Sequence, residues 1–173
     1  NADFDGDEMN MHMPQDAEAE AELRYLANVP NQIVSPANNK PIIGIFQDSL
    51  IGSFLFTRKN QYITRKEMMN LLLKTNTYSV ASLLKSSKEK YNHFELLSEI
   101  IPPISLKYKT DLFDKQGDGE SENISNLVLE IKNGTIKRGQ FDKGVLGSSS
   151  KGIMHRILKD YDTETCKSFV DNL

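Results

Sequence analysis

Three aspartates lie close together near the start of this 173-residue chain, at Asp3, Asp5 and Asp7. In a straight strand their side chains would share one face but lie too far apart to hold a single ligand. Gly6 can adopt backbone conformations closed to other residues, so a sharp turn there would let the three carboxylates converge. The spacing therefore predicts a tight loop rather than a regular element.

Converged carboxylates need a counter-charge, because anions held close together raise one another's pKa values. A divalent cation removes this cost, and Mg²⁺ prefers hard oxygen ligands at about 2.1 Å. We therefore interpret Asp3, Asp5 and Asp7 as a candidate Mg²⁺ site that keeps open positions for phosphate.

Other interpretations of the same residues stay open. An EF-hand calcium loop is excluded, because counting from Asp3 puts Glu8 at its glycine position and Pro14 at its terminal glutamate position. A glycosyltransferase-type or phosphatase-type Asp-x-Asp site, a structural Ca²⁺ loop and a solvated acidic terminus would each show the same local spacing.

Charge and composition narrow the class of protein. The first 22 residues carry eight acidic side chains and no lysine or arginine, although the whole chain has a net charge of only −3. A content of 38% hydrophobic and 26% charged residues is typical of a globular domain. No apolar run approaches the roughly 20 residues of a membrane span. The single cysteine, Cys166, excludes an internal disulfide framework.

Capping signals and apolar periodicity predict several helices. Asp16 is a candidate N-cap, and Thr64 with Glu67 forms a capping box. The helices are predicted over residues 15–28, 64–73, 92–101, 152–161 and from 164 onward. A further helix over 45–56 is apolar almost all round, which predicts that it is buried.

Strands are expected late in the chain. Leu127, Leu129 and Ile131 alternate with polar residues and are followed by Asn133-Gly134, which predicts a hairpin with a type I′ turn. Residues 115–123 are rich in turn formers and predict a mobile loop. The expected class is therefore mixed α+β, with helices dominant.

The start of the chain resembles the active-site signature of a known enzyme family. The segment Asn1-Ala2-Asp3-Phe4-Asp5-Gly6-Asp7-Glu8-Met9-Asn10, followed by His12 and Pro14-Gln15, is similar to that of the largest subunit of multisubunit DNA-directed RNA polymerases. Two later stretches, 32–52 and 133–155, resemble the same family in the same order. The residues of these segments are more similar to those of eukaryotic-type and large-DNA-virus enzymes than to those of bacterial ones.

The resemblance implies a division of the chain into two parts. Residues 1–32 would be the end of the active-site domain, with the metal-binding loop and the following helix at the C-terminal edge of a double-psi β-barrel. Residues 33–173 would be a helix-rich pore domain, proximal to the funnel, with a late β-hairpin. The first residue is Asn1 rather than Met, which we interpret as the start of a fragment.

The resemblance also implies roles for individual residues. Asp3, Asp5 and Asp7 would bind the catalytic Mg²⁺ and share a second Mg²⁺ that arrives with the nucleoside triphosphate, as in two-metal nucleotidyl transfer. Asn1 would contact the ribose of the substrate. Gly6 would set the geometry of the loop.

The implied activity is DNA-templated RNA synthesis, performed only within the complete multisubunit assembly. The partners would be the remaining regions of the largest subunit, the second-largest subunit, the DNA template, the RNA transcript and nucleoside triphosphates, with no membrane. The setting would be intracellular, in the nucleus or at a cytoplasmic viral transcription site. Two further hypotheses remain: a non-catalytic polymerase-derived binding or scaffold fragment, and a stand-alone Asp-x-Asp metal-dependent transferase.

Overall fold

The computed structural model describes residues 5–75 and 88–173, and the chain divides into two units, Asn1–Gln32 and Ile33–Leu173. The expected roles of Asn1 and Asp3 therefore fall on residues outside the described part. The first unit contains helix α1 (Ala17–Tyr25) and a 3-10 turn (Val29–Gln32).

Helix α1 begins at Ala17, directly after the predicted cap Asp16, and so is shorter at both ends than the predicted helix over 15–28. Asp16 caps it, and its Oδ1 accepts a hydrogen bond from the Ala19 N–H at 2.7 Å. The side-chain amides of Asn31 and Gln32 donate to the carbonyls of Tyr25 and Leu26 at 2.7 and 2.8 Å. These amides satisfy C-terminal carbonyls that a longer helix would otherwise bond, so the helix ends before residue 28.

The second unit combines short helices with short strands. Its described helices are α2 (Gln47–Phe56), α3 (Arg65–Leu72), α4 (His93–Ser98), α5 (Asp111–Lys115), α6 (Lys143–Leu146), α7 (Ile153–Asp160) and α8 (Thr163–Asn172). Its described strands are β1 (Val34–Ser35), β2 (Lys40–Pro41), β3 (Tyr62–Thr64), β4 (Lys90–Asn92), β5 (Leu106–Lys109), β6 (Val128–Lys132) and β7 (Thr135–Arg138). The predicted mixed α and β class is confirmed.

The strands form small antiparallel sheets, paired as β1-β2, β3-β4 and β5-β6-β7. The predicted hairpin is β6-β7, and its turn residues Asn133 and Gly134 have φ values of 48° and 77°. Positive φ at both central positions defines the type I′ turn, so this prediction is confirmed. Strand β5 pairs with β6 in the register Leu106↔Ile131 and was not predicted.

The main core lies between the three-stranded sheet and the helices that follow it. Apolar side chains from β6, β7, α4, α6, α7 and α8 are buried together, including Leu129, Ile131, Ile136, Leu97, Val145, Ile153, Ile157 and Phe169. A second, smaller cluster joins α3 to β4 and α4 through Met68, Leu72, Tyr91 and Leu96. The capping box predicted for α3 is present, with Thr64 and Glu67 bonding each other's backbone.

Helix α2 forms as predicted, but the expectation that it is buried was wrong. Leu50 and Phe56 pack partly against the main core, whereas Ile51 and Leu55 are 58% and 45% exposed. An all-apolar helix can bury every face only where neighbours lie on every side. Within the described part of the chain, the side that carries Ile51 and Leu55 has no such layer.

A buried polar network attaches the end of α2 to the segments that precede β6 and follow β7. Thr57 is fully buried, and its Oγ1 accepts from the Phe141 N–H at 2.9 Å while donating to the Ser53 carbonyl at 2.8 Å. The Asn126 side chain donates to the Thr57 carbonyl at 3.0 Å. These bonds satisfy polar groups that burial would otherwise penalise, so they hold α2 in one position. None of the described helices has the length and apolarity needed to cross a bilayer.

Candidate metal-binding site

The candidate loop begins in a turn at Asp5 and Gly6 and runs without regular structure to α1. Gly6 has φ = +116°, a conformation that is essentially restricted to glycine. A Cβ at this position would meet no atom within 4 Å. The demand for glycine therefore comes from the backbone conformation and not from crowding.

The described carboxylates of the loop, Asp5, Asp7 and Glu8, are exposed. The single basic residue among positions 1–32, apart from His12, is Arg24, whose Nη2 pairs with Glu20 at 2.7 Å on α1. The charged residues around the loop are therefore mostly acidic, and Arg24 is paired with Glu20 on α1. Such a loop favours cations over anions.

The donor chemistry fits a hard divalent ion. Exposed carboxylate oxygens on both sides of an open turn are the ligands that Mg²⁺ takes. Among residues 5–75 and 88–173, no group of three or more His, Cys, Asp or Glu side chains comes together as a metal cage. Asp3, the expected third carboxylate, lies outside those residues, as does Asn1. Asp5 and Asp7 are thus the described members of the candidate set, and Gly6 lies between them.

One acidic group of the second unit was missed by sequence reasoning. Asp142 is buried, and its Oδ1 accepts from the Val145 N–H at 2.9 Å to cap α6. Burial raises the pKa of Asp142, and the nearby Asp111 carboxylate adds to that rise. The two aspartates lie in a groove of about 700 Å³. No local pattern of residues indicates this pair, because Asp111 and Asp142 lie far apart along the chain.

The half-buried Tyr108 and the buried Cys166 of the second unit are poor candidates for chemistry. The Tyr108 hydroxyl is buried without a hydrogen-bond partner, and burial raises its pKa, with Asp142 and Asp111 contributing. Burial also raises the pKa of the Cys166 thiol to about 11. A thiol that stays protonated at neutral pH is a poor nucleophile, so Cys166 packs as an apolar residue.

Known families match successive parts of the chain. The family described as RNA polymerase Rpb1, domain 2, matches residues 1–29, and RNA polymerase Rpb1, domain 3, matches residues 32–173. The two matches meet close to the boundary between the two structural units.

Curated relatives point the same way. The DNA-directed RNA polymerase subunit Rpo1N of Methanococcus vannielii is 33% identical over 99% of this chain and 20% of its own length. The subunit Rpo1N of Thermococcus celer is 29% identical over 100% of this chain and 22% of its own length. That of Methanothermobacter thermautotrophicus is 32% identical over 99% and 20%. The chain spans about a fifth of the length of these relatives.

The resemblance first suggested by the aspartate motif is confirmed by these matches, which extend over nearly all residues on both sides of the unit boundary. A stand-alone Asp-x-Asp transferase would not carry the second match, which covers the whole of the larger unit. The chain therefore belongs to the family of the RNA polymerase largest subunit, Rpb1.

Proposed function

We propose that this chain contributes the catalytic metal loop and the adjoining pore region of a DNA-directed RNA polymerase. The supporting observation is the turn at Asp5, Gly6 and Asp7, with Gly6 at φ = +116°, in a chain of the Rpb1 family. The reaction would be the transfer of a nucleotide to the 3′ end of an RNA copied from DNA.

Three carboxylates would hold the metal in this proposal: Asp3, Asp5 and Asp7. Gly6 supplies the backbone conformation between the last two, and the absence of lysine and arginine from residues 1–23 leaves the loop negatively charged. When bound, Mg²⁺ stabilises negative charge on the phosphoryl group being transferred and lowers the pKa of the attacking hydroxyl. The same carboxylates would also share a second ion brought by the nucleoside triphosphate.

Asn1 would act on the sugar of the substrate. Its side-chain amide carries both a donor and an acceptor, so it can bond the 2′-hydroxyl that distinguishes ribonucleotides from deoxyribonucleotides. This assignment comes from the position of Asn1 in the motif.

The two units would have separate places in the enzyme. Residues 1–32 would complete the edge of a double-psi β-barrel active-site region, and residues 33–173 would form the pore domain. The coincidence of the structural boundary after Gln32 with the boundary between the two family matches supports this division.

Activity would require the complete assembly. Two-metal transfer needs the triphosphate, the RNA end and the ions held in a fixed arrangement. The proposed partners are the remaining regions of the largest subunit, the second-largest subunit, the DNA template, the RNA transcript and nucleoside triphosphates. Exposed apolar side chains such as Met11, Ile51 and Leu55 support such assembly, because surfaces of this kind usually mark contacts. The setting would be the nucleus or a viral transcription site in the cytoplasm.

The test is Asp5→Ala in the complete polymerase. Removing one carboxylate leaves transition-state charge under-stabilised, so elongation should fall by roughly a thousandfold or more, equivalent to about 4 kcal/mol. The measurement is the rate of single-nucleotide addition on a synthetic template at saturating Mg²⁺.

The matched control is Glu22→Gln, which removes an exposed carboxylate from the same unit outside the loop. It should elongate at the wild-type rate. Near-normal addition by the Asp5→Ala enzyme would refute the assignment of the metal loop.

A further inference from the structure

An acidic segment of the second unit lies across a basic surface. Residues 117–124, here called the acidic strap, connect α5 to β6 and contain Asp118, Glu120 and Glu122 with no lysine or arginine. Every residue of the strap is exposed. The sequence predicted a loop here, and the structure adds that this loop makes specific ionic contacts.

The surface beneath the strap is the outer face of the sheet β5-β6-β7. Leu106 and Ile131 pack against the core, so the alternate residues of β5 and β6 point outward, namely Lys107, Lys109, Glu130 and Lys132. Arg138 of β7 lies on the same face, because a register irregularity beside Glu130 pairs Arg138 with that residue and its guanidinium bonds the Glu130 carboxylate. The four cations Lys107, Lys109, Lys132 and Arg138, together with Lys59 before β3, form a surface that we call the cationic face.

Glu122 crosses this face from one edge strand to the other. Its carboxylate pairs with Lys109 Nζ on β5 at 3.0 Å, and its main-chain carbonyl accepts from Arg138 Nη1 on β7 at 2.7 Å. Glu120 pairs with Lys59 Nζ at 2.6 Å. The strap thus binds the face through two carboxylates and a backbone carbonyl, and it does so as a turn, because the N–H groups of Ile124 and Ser125 both donate to the Ser121 carbonyl.

The two ion pairs of the strap are weak contacts, whereas its other bonds join the Glu122 carbonyl to Arg138 and the Asp118 carboxylate to the Ser125 hydroxyl. The side chains of the Lys59–Glu120 and Lys109–Glu122 pairs are between 37% and 51% exposed. Exposed ion pairs contribute little to stability and are screened by salt. The only apolar side chain of the strap, Ile124, is 63% exposed and does not anchor it. Ser125 and Asn126, which follow, are buried and fix its end.

We propose that the cationic face is a docking surface for an acidic segment of another protein, and that the acidic strap occupies it until that segment competes. The strap and an incoming segment would use the same cations. Docking would therefore displace residues 117–124 and leave the core of the unit unchanged. This inference rests on the second unit alone and does not depend on the metal loop.

The geometry of Arg138 favours an acidic peptide over a nucleic acid. Its Nε and Nη2 both donate to Glu130 Oε2, at 3.1 and 3.0 Å, and its side chain is only 14% exposed. Phosphate recognition by arginine typically uses two adjacent N–H groups of the guanidinium. The Nε and Nη2 groups of Arg138 are committed to Glu130, and Nη1 donates to a peptide carbonyl, that of Glu122.

The test weakens the binding of the strap to the cationic face by removing two negative charges from the strap in the 173-residue chain, which gives the opened variant. Glu120→Gln combined with Glu122→Gln keeps the size of both side chains and removes both ion pairs. The control pair, Glu95→Gln with Glu164→Gln, removes the same charge from the Lys88–Glu95 and Lys167–Glu164 pairs. The probe is a short fluorescein-labelled peptide of alternating glutamate and serine, and binding is followed by fluorescence anisotropy at low salt.

The opened variant should bind the peptide roughly tenfold more tightly than wild type, since it no longer carries the internal competitor. The control pair should change the affinity much less. Adding Lys107→Gln and Lys109→Gln to the opened variant should abolish binding, whereas Lys151→Gln with Lys159→Gln should not. Circular dichroism melting curves establish that each variant is folded.

Two results would overturn the proposal. The first is an opened variant that binds the peptide no better than the control pair. The second is an opened variant that binds a single-stranded RNA of similar charge more tightly than the peptide, which would make the face a phosphate-binding surface.

Discussion

The two units of this chain differ in how far their side chains are buried. Among the described residues of the first unit, 5–32, none is buried, and Met9, Met11 and Met13 are each at least 75% exposed. The second unit buries a continuous core around Leu129, Phe141 and Ile157. The aspartate motif, however, lies in the first unit.

The first unit thus carries the candidate metal ligands, whereas the second unit carries the buried core that stabilises the fold. A loop that holds a metal needs particular side chains at particular spacings, and these are visible in the sequence even where packing is sparse. A core needs only apolar side chains of suitable volume, so it says little about function. We expect changes in the first unit to alter activity and changes in the second unit to alter folding.

The largest expected effect on folding comes from Phe141→Ala. Phe141 is fully buried in the main core, so its truncation leaves a cavity and should lower the free energy of unfolding by about 3–5 kcal/mol. Leu23→Ala in α1, where the side chain is 52% exposed, should change it by less than about 0.5 kcal/mol. Urea unfolding of the 173-residue chain, followed by circular dichroism, measures both values. Similar losses of unfolding free energy for the two variants would show that the two units do not differ in their contribution to stability.

The next effect concerns Gly6→Ala in the complete polymerase. An alanine at φ = +116° introduces strain of about 1–3 kcal/mol, although the surrounding space is open. If the strain misplaces Asp5 and Asp7, nucleotide addition should slow roughly ten- to a hundredfold. Thermal unfolding of the second unit should stay the same.

Gly52→Ala is the matched control for Gly6. Gly52 lies within α2, its φ is not positive, and a Cβ there also meets no atom within 4 Å. Alanine is the better helix former, so the chain should gain about 0.5–1 kcal/mol in stability. Wild-type elongation by Gly6→Ala would mean that the backbone conformation at Gly6 is incidental.

The smallest expected effects come from removing the N-terminal caps of α3 and α1. Thr64→Ala removes the capping box of α3, which packs through Met68 and Leu72, and should cost about 1 kcal/mol of unfolding free energy. Asp16→Ala removes the cap of α1, a helix with no buried residue. It should reduce helicity without moving the cooperative transition. Equal shifts of that transition would contradict the comparison.

The capping box also has a predicted pH dependence. The Thr64 backbone N–H and hydroxyl both donate to the Glu67 carboxylate, and these bonds lower the pKa of Glu67. A lowered pKa in the folded state means that the contribution is present above the ordinary pKa of glutamate and is lost as the pH falls through the lowered value. The stability difference between wild type and Thr64→Ala should therefore shrink in acid.

Local signals in the sequence predicted local structure well. The cap at Asp16, the box at Thr64 and the turn at Asn133-Gly134 each depend on residues within a few positions of one another. Strand β5 and the short helices α5 and α6 were not predicted, because four or five residues are too few to establish a period. The pairing of β3 with β4 joins distant positions, which periodicity does not encode.

The candidate functional residues were also only partly predictable from the sequence. The motif around Asp5 and Asp7 was found from residue types and spacing alone, and the family matches agree with it. The Asp111–Asp142 pair and the acidic strap over the cationic face were not found. Their members come together through the folding of distant segments, and each residue is unremarkable in its own neighbourhood.

The sequence by itself determined the caps of α1 and α3, the hairpin turn, the family and the candidate metal ligands, because short-range sterics and specific side-chain chemistry act along the chain. The tertiary structure alone decided which face of α2 is covered, which strands pair and which acidic side chains lie over lysines. These outcomes depend on contacts between residues far apart in the chain. Their free energies arise from burial and charge pairing, which exist only after the segments have packed together.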